Sequence, residues 1–210
     1  MKRFDPTRDE AALRGLLGED AEFCLEGWLR FGDVASTWAA RTDLFSAPRP
    51  AAAIDVLFLD ALNVWRAGMI HEGSHVVDIG AGVGAPALPL ALAMPTTRWT
   101  LVEPRRRRVV FLRTAVGALG LRDRVTVHEG RLVPGSTELG RFDVAMSRAT
   151  FALGEWVRLG RELAPVTLAF VGENGVPEGA EIPEPIAEAH YTTLDRKVAR
   201  GALRFETGLE

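Results

Sequence analysis

The sequence contains one cysteine, almost no lysine and no long apolar run. Cys24 is alone among 210 residues, which excludes an internal disulfide and indicates a reducing compartment. No apolar run approaches the ~18 residues that are needed to cross a membrane. The opening residues, MKRFDPTRDE, lack the apolar core of a signal peptide. We therefore expect a cytoplasmic protein with no membrane partner.

The shortage of lysine leaves arginine as the main cation. Lys2 and Lys197 are the only lysines, and 25 basic residues against 28 acidic ones give a net charge of −3. No overall field therefore attracts a polyanion. The planar guanidinium of arginine suits phosphates and guanine edges, although a coding bias toward arginine accounts for the same count. Apolar residues make up 47% and charged residues 25%, which is typical of a globular protein rather than a disordered one.

Residues 1–70 show helical patterns and predict an N-terminal helical extension. Thr7 and Glu10 have the spacing of a capping box before the apolar run AALRGLL. Aromatic residues among 21–39 indicate one or two amphipathic helices. The apolar residues of 54–65 follow helical spacing and give one apolar face.

From residue 75 onward, short apolar runs alternate with helical patterns. Such alternation predicts a mostly parallel sheet with helices on both faces. Helices are predicted at about 86–94, 105–119 and 151–163. The predicted strands are HVVDI (75–79), WTLVE (99–103), VTVHE (125–129), FDVAMS (142–147) and VTLAFVG (166–172).

The last part of the sequence breaks this alternation. YTTLDRKVA (191–199) and ALRFETGL (202–209) are separated only by Arg-Gly, and they predict an antiparallel pair that closes one edge of the sheet. The pattern as a whole predicts an N-terminal helical extension over 1–70 and a sheet domain of seven strands over 71–210.

The stretch HVVDIGAGVGAPALPLALA, residues 75–93, places three glycines where the first strand gives way to a helix. Gly80, Gly82 and Gly84 let the backbone turn sharply and let a ligand approach its N–H groups. Gly80, Gly82 and Ala85 formally match the G-x-G-x-x-G/A pattern that holds the pyrophosphate of a dinucleotide. The glycines therefore predict a cofactor site without choosing between a dinucleotide and S-adenosylmethionine.

The acidic residues near these glycines favour S-adenosylmethionine. Asp78 puts a carboxylate beside the loop, where it would repel pyrophosphate and attract the ammonium of a methionine moiety. Glu103, at the end of the second strand, can accept ribose hydroxyls in either class of enzyme, whereas the antiparallel pair is expected of methyltransferases. Alternatively, Asp78 only caps the next turn and the glycines only permit close packing. We predict that the cofactor is bound by Asp78, Gly80, Ala81, Gly82, Gly84, Ala85 and Glu103.

Together these motifs resemble the RsmG (GidB) family of bacterial methyltransferases, which act on guanine N7 in small-subunit ribosomal RNA. The resemblance covers about residues 55–172 and is carried by DVLFLDALNV, GAGVGAPALPLALAMP, LVEPRRRRVVFLRTAVGALGL and FDVAMSRATFALGEWVRLGRELAP. It implies a Rossmann-like class I methyltransferase fold, S-adenosylmethionine as cofactor, and ribosomal RNA or the small ribosomal subunit as partner. It also implies that Leu132, Val133 and Arg148 lie at the cofactor.

Polar and basic residues at two further places are candidates for binding the acceptor. Ser147 and Arg148 follow the fourth strand, at the carboxyl edge where open α/β sheets bind ligands. They are candidates to position the methionine carboxylate or the incoming guanine, although a surface ion pair is the alternative for Arg148.

Five arginines at and after the start of the second predicted helix of the sheet domain are candidates to bind RNA phosphates. Cations at a helix start face the positive end of the helix dipole, which is unfavourable unless an anion is bound and therefore favours a phosphate contact. A solvated charged face accounts for these arginines equally well. They are Arg105, Arg106, Arg107, Arg108 and Arg113.

No pair of residues marks a general base, and no metal site is predicted. Guanine N7 carries a lone pair and no proton, so transfer to it can depend on holding the nucleophile and the methyl group about 3–3.5 Å apart. A hydroxyl acceptor would call for a base, for which the candidates are His71, His75, His128 and His190.

Departures from the family pattern leave two alternatives open. Ala85 stands where the family has phenylalanine, Val133 where it has glutamate, and Val171 where it has lysine. With the net charge of −3, these departures favour a small molecule or a protein as the methyl acceptor. The second alternative is a non-catalytic module that keeps the fold, with Ala85 and Val133 marking a decayed pocket. A measurement of S-adenosylmethionine binding distinguishes the two methyltransferase hypotheses from the non-catalytic module.

Overall fold

Seven strands form one sheet in the order β3-β2-β1-β4-β5-β7-β6. The computed structural model describes residues 3–131 and 139–207. Strands β1 to β5 run parallel, and β7 is antiparallel to both β5 and β6. This confirms the predicted mostly parallel sheet with an antiparallel pair at one edge. The strands are β1 (His75–Ile79), β2 (Arg98–Glu103), β3 (Val125–Glu129), β4 (Val144–Ser147), β5 (Val166–Val171), β6 (Ala187–Thr192) and β7 (Ala199–Glu206).

Helices cover both faces of the sheet. The N-terminal helices pack with α5 and α6 into one apolar core, and α7 packs into a second core on β4 and β5. A 3-10 turn, Glu19–Cys24, precedes α2, and a π-helical turn, Asp55–Leu59, joins α3 to α4. The helices are α1 (Pro6–Leu17), α2 (Leu25–Ala39), α3 (Pro50–Ile54), α4 (Asp60–Arg66), α5 (Ala87–Ala93), α6 (Arg106–Ala118) and α7 (Leu153–Leu163).

The N-terminal helices are joined to the sheet domain by aromatic packing. The fully buried ring of Phe58 stacks on Trp28 at 5.2 Å and meets the edges of Phe4 and Phe31. Trp28 also donates from Nε1 to the carbonyl of Pro89 in α5, at 3.1 Å. Burying a side chain such as Phe58 stabilises the fold by roughly 1.5–3 kcal/mol. The division at residue 70 stays a prediction, because the two parts share one core.

The start of the first helix differs from the capping box that the sequence predicts. Asp5, rather than Thr7, is the N-cap residue, and its carboxylate accepts from the backbone N–H of Thr7 and of Arg8. Pro6 then occupies the first helical position, where its fixed φ suits the helix and its missing N–H leaves nothing unsatisfied. Glu10 instead pairs with Arg14 one turn later.

The turn of the C-terminal hairpin also differs from the prediction. The turn lies at 193–198, where the N–H of Thr193 donates to the carbonyl of Val198 and Val198 donates back to the Thr193 hydroxyl. The Arg-Gly pair lies inside β7, and Gly201 is paired with both Val171 and His190. A side chain at Gly201 would approach Val171 to 3.1 Å, so this glycine serves close strand packing and makes no turn.

Among the described residues, no helix has the length and apolar character needed to cross a membrane.

Candidate functional site

The carboxyl ends of β1, β2 and β4 bring the predicted site residues to one edge of the sheet. Asp78 lies near the end of β1, paired in register with Leu101 of β2 and Met146 of β4. Glu103 ends β2 and Ser147 ends β4. Parallel neighbouring strands end together, so residues far apart in sequence meet here, as open α/β sheets require of a ligand site.

Glycine occupies the three positions of the loop after β1 for different physical reasons. A Cβ at Gly80 would lie 2.3 Å from Thr150 Oγ1, and one at Gly84 would lie 2.6 Å from Leu88 Cδ1. These two positions are therefore closed by packing. At Gly82 the φ is +57°, and the nearest atoms to an added Cβ are 3.7 Å away or more. Gly82 is thus the glycine of the three whose surroundings would accept a side chain in ordinary contact, so packing leaves its backbone the most accessible to a ligand.

The carboxylate of Glu103 holds this loop in place. Glu103 is only 2% exposed, and its two oxygens accept from the N–H groups of Gly82 at 3.0 Å and Arg105 at 2.9 Å. The guanidinium of Arg108 lies 3.9 Å from Oε2. Each carboxylate oxygen can accept more than one hydrogen bond, so Glu103 can order the loop and still accept from a ribose. The loop and a possible ribose contact therefore depend on one side chain.

Asp78 is a buried carboxylate that lacks a full set of partners. It is 2% exposed, and its Oδ2 has no hydrogen-bond partner among the residues that the structure describes. Burial raises the pKa of the carboxyl from 3.8 to about 7; the charge of nearby Arg148 opposes this rise and that of Glu103 adds to it. A buried carboxylate without a partner is costly, and a cationic group bound beside it would remove that cost. Asp78 therefore fits the ammonium of S-adenosylmethionine and does not fit a pyrophosphate.

Ser147 and Arg148 turn out to have different tasks. The Ser147 hydroxyl is buried and donates to the carbonyl of Ile79 at 2.7 Å, so it ties the end of β4 to the end of β1. Arg148 donates from Nη1 to Asp60 Oδ2 at 2.5 Å and to the carbonyl of Val56 at 2.9 Å. The ion-pair alternative for Arg148 is thus present, but with a buried carboxylate rather than at the surface.

A cavity of about 400 Å³ opens beside this ion pair. Its charged groups are Asp60, Arg148 and Arg200, and its apolar wall includes Phe170 and Val171. Val171 stands where the family resemblance expects lysine, so the cations of this cavity come from β7 and from the residue after β4. The predicted residues Arg105 to Arg108 do not line it.

The five predicted arginines do not form one surface. Arg105, Arg106 and Arg107 are exposed, and together with the half-buried Arg108 they line a separate cavity of about 340 Å³ that also contacts Trp38. Arg108 also lies 3.9 Å from Glu103, and the exposed Arg113 lies 3.8 Å from Glu129. The first three are therefore the most exposed cations of one cavity, which Arg113 does not line.

Several other predicted residues have surroundings that limit their role. The side chains of Ala81 and Ala85 are buried in the core, so a ligand could meet only their backbone. Leu132 and Val133 lie outside the described residues.

Two of the candidate bases have partners of their own. His75 begins β1, at the opposite edge of the sheet, where its ring contacts Thr100 at 2.9 Å and burial lowers its pKa. His190 pairs with exposed Glu188. No group of three His, Cys, Asp or Glu side chains within 3–131 and 139–207 is arranged to hold a metal ion.

Comparison with known proteins decides the family. Residues 26–182 match the family model described as GidB, rRNA small subunit methyltransferase G. The chain belongs to the rRNA small subunit methyltransferase G family. This confirms the resemblance predicted from the sequence and, at the level of the family, the predicted enzyme class and methyl donor.

Three relatives that carry the name ribosomal RNA small subunit methyltransferase G illustrate the similarity. The protein of Frankia alni is 43% identical over 102 residues, which is 48% of this chain and 38% of that protein. The protein of Thermoanaerobacter pseudethanolicus is 28% identical over 83% of this chain and 72% of its own length. The protein of Syntrophus aciditrophicus is 29% identical over 86% of this chain and 76% of its own length. The match thus spans from about two fifths to three quarters of these relatives.

Solved structures support the fold alone. The C-terminal domain of precorrin-6Y C5,15-methyltransferase from Rhodobacter capsulatus superimposes with a TM-score of 0.51 at 16% identity, covering 80% of this chain and 94% of that one. An uncharacterised protein from Listeria monocytogenes gives a TM-score of 0.51 at 14% identity, covering 69% and 66%. The Rossmann-like class I methyltransferase fold is therefore confirmed.

Three residues near the candidate site of this member of the methyltransferase G family give almost no functional signal in the sequence. Asp60 lies within the motif DVLFLDALNV, but the family resemblance assigns it no role. Tyr191 lies in a predicted strand and Arg200 in the predicted turn, and no motif marks either residue. The family match ends at residue 182, so both hairpin residues lie beyond it. The one available signal was that Tyr191 is the only tyrosine of the chain.

Proposed function

We propose that this chain transfers the methyl group of S-adenosylmethionine to N7 of a guanine in small-subunit ribosomal RNA. The observation that carries the proposal is the buried Oδ2 of Asp78, which has no hydrogen-bond partner among the described residues, in a member of the methyltransferase G family. An unpaired buried carboxylate calls for a cationic group, and the ammonium of S-adenosylmethionine supplies one. A ribosomal RNA acceptor also agrees with the cytoplasmic location that was predicted from Cys24.

Each residue of the site binds a different part of the methyl donor. Asp78 accepts from its ammonium, Glu103 accepts from its ribose hydroxyls, and the backbone at Gly82 gives it room. Arg148 supplies a guanidinium near Asp78 for the methionine carboxylate. When bound, S-adenosylmethionine supplies an electrophilic methyl group on a sulfonium. The chain's own contribution is to hold this group and the acceptor in line.

No side chain has to remove a proton in this reaction. Guanine N7 presents a lone pair, so the nucleophile is ready once the base is positioned. This agrees with the position of His75, which begins β1 at the opposite edge of the sheet and contacts Thr100 there. The cavity beside Arg148 lies at that edge and is the place for the acceptor.

Arg105, Arg106 and Arg107 provide the contact with the RNA backbone. They are exposed together at the start of α6, where the helix dipole makes three cations unfavourable unless an anion is bound. Their charge is local, since the whole chain carries a net charge of −3. Binding should therefore depend on one face of the molecule.

The deciding experiment uses S-adenosylmethionine with a labelled methyl group. The chain is incubated with deproteinised small-subunit ribosomal RNA, with intact small subunits, and with a protein and metabolite extract free of RNA. We expect label in the ribosomal RNA, at a guanine where borohydride and aniline then cleave the strand. Label confined to a protein or a metabolite would replace the RNA acceptor, and absence of S-adenosylmethionine binding would favour the non-catalytic module.

A further inference from the structure

The carboxylate of Asp60 joins three parts of the chain that are distant in sequence. Asp60 is 3% exposed at the start of α4, and its Oδ2 accepts from Arg148 at 2.5 Å. Its Oδ1 accepts from the hydroxyl of Tyr191 in β6, also at 2.5 Å. Arg200 of β7 lies 3.9 Å from the same Oδ1. Asp60 is thus the centre of a buried polar network between the helical extension, the loop after β4 and the C-terminal hairpin.

A second aspartate fixes the same hairpin to the same segment. Asp55, also buried, accepts from the N–H of Leu194 at 2.7 Å and of Asp195 at 3.0 Å. The turn Asp55–Leu59 between the two aspartates is π-helical, a local widening that is frequent at functional sites. The carbonyl of Val56, inside this turn, accepts the other hydrogen bond of Arg148. The hairpin and Arg148 are therefore held by one stretch of helix.

Arg148 lies where this network meets the cofactor site. Its guanidinium is close enough to Asp78 to act on that carboxyl, and it lines the acceptor cavity. In the part of the chain that the structure describes, both of its hydrogen bonds use Nη1. Nε and Nη2 are left to donate to a ligand. Fixing Nη1 therefore fixes the direction in which the remaining donors point.

We propose that Asp60 and Tyr191 are positioning residues that hold Arg148 in its ligand-binding orientation, so that the C-terminal hairpin controls the active site through Asp60. Tyr191 holds Oδ1 of the Asp60 carboxylate, and Asp60 in turn presents its other oxygen, Oδ2, to Arg148. This inference rests on the proposed function, because it uses S-adenosylmethionine as the ligand of Arg148.

A double-mutant cycle tests the inference. Tyr191→Phe removes the hydroxyl and keeps the ring, and Arg148→Lys keeps the charge beside Asp60 and loses the planar fork. The dissociation constant of S-adenosylmethionine is measured by calorimetry for wild type, both single variants and the double variant. Methyl transfer to ribosomal RNA and thermal unfolding are followed in parallel. Glu188→Gln is the matched control, since Glu188 lies on the same strand, is exposed and pairs with His190.

Coupling is the expected result. Tyr191→Phe should weaken binding of S-adenosylmethionine about threefold to tenfold in wild type, as the loss of a hydrogen bond to a charged group allows. In the Arg148→Lys background the same change should have less than about a twofold effect, because residues in one network are not additive. Glu188→Gln should leave binding and transfer unchanged. Asp60→Asn, which keeps the shape and removes the charge, should reproduce the loss and the coupling.

The outcomes that would overturn the inference can be distinguished from one another. Equal losses from Tyr191→Phe in both backgrounds, or no loss in wild type, would show that Tyr191 does not act through Arg148 and would leave the proposed function standing. Failure of the wild-type chain to bind S-adenosylmethionine would overturn the proposed function and the inference together. A lower melting temperature with unchanged binding would assign the network to stability alone.

Discussion

Asp78 offers the sharpest test of the cofactor site, because its ionisation should control binding. Burial raises the pKa of its carboxyl to about 7, while Arg148 opposes and Glu103 adds to the rise. The ammonium of S-adenosylmethionine binds the ionised form, which makes up about a tenth of the protein at pH 6 and about nine tenths at pH 8 if the pKa is about 7. Affinity should therefore rise about tenfold between these pH values, with a proton released on binding at pH 6.

The same ionisation should appear in the stability of the free protein. A carboxyl whose folded pKa lies above its unfolded value holds an extra proton when folded, so stability falls as pH rises from about 4 to about 7. The gap between 3.8 and about 7 corresponds to about 4 kcal/mol of unfolding free energy. Urea unfolding of the wild type should show this fall, and the Asp78→Asn variant should lack it.

Calorimetry at pH 6, 7 and 8 in buffers of different ionisation enthalpy measures both the affinity and the proton release. The Asp78→Asn variant is the control, since it keeps the titration of the ligand's own amine and removes that of Asp78. Affinity that is equal at pH 6 and 8 in wild type, or a rise of affinity with pH that persists undiminished in the variant, would refute the role of Asp78.

Three further predictions concern the loop and the arginines. Glu103→Gln should weaken binding of S-adenosylmethionine by roughly 1–2 kcal/mol, because an amide accepts hydrogen bonds less strongly; unchanged calorimetric affinity would exclude the ribose contact. Gly82→Val should abolish binding with the fold retained, whereas Gly84→Val, at a similar positive φ, should lower the melting temperature because its side chain meets Leu88. Replacing Arg106 and Arg107 with glutamine should flatten the salt dependence of RNA binding by about one to two log units per log unit and leave the binding of S-adenosylmethionine unchanged.

Most of the sheet could be predicted because its signals are local. The bounds of β1 and β3 agree with the predicted 75–79 and 125–129, since a short run rich in β-branched residues and bounded by turn residues is typical of a strand. The predicted position of the hairpin turn was wrong because glycine is typical of turns, whereas Gly201 lies inside β7 and pairs with neighbouring strands. Composition alone does not separate the two roles, whereas the partners of the strand do.

The proximity of the candidate site residues could be predicted for a topological reason. Asp78 and Glu103 end adjacent parallel strands, so the strand order is enough to bring them together. What the sequence pattern did not reveal is that the glycines differ. Gly80 and Gly84 are required by Thr150 and Leu88, which approach them in space, whereas an added Cβ at Gly82 would meet only ordinary contacts at 3.7 Å or more. A sequence motif shows that a position has no side chain, but it does not show which neighbouring atoms, or which ligand, occupy the space.

The acceptor side of the site was beyond sequence reasoning because its contacts span the chain. Asp60 meets Arg148 across 88 residues and Tyr191 across 131, and neither pair has a periodic spacing that a pattern search could detect. The same packing changes the meaning of the departure at Val171. Val171 pairs in register with Gly201, so Arg200 beside it lines the cavity that a lysine at position 171 would have entered. A missing cation on β5 therefore does not leave the cavity without charge, because the neighbouring antiparallel strand supplies one. The site has to be judged by the charges that the fold brings together, and by that measure the loss of the family lysine is no argument against an anionic acceptor.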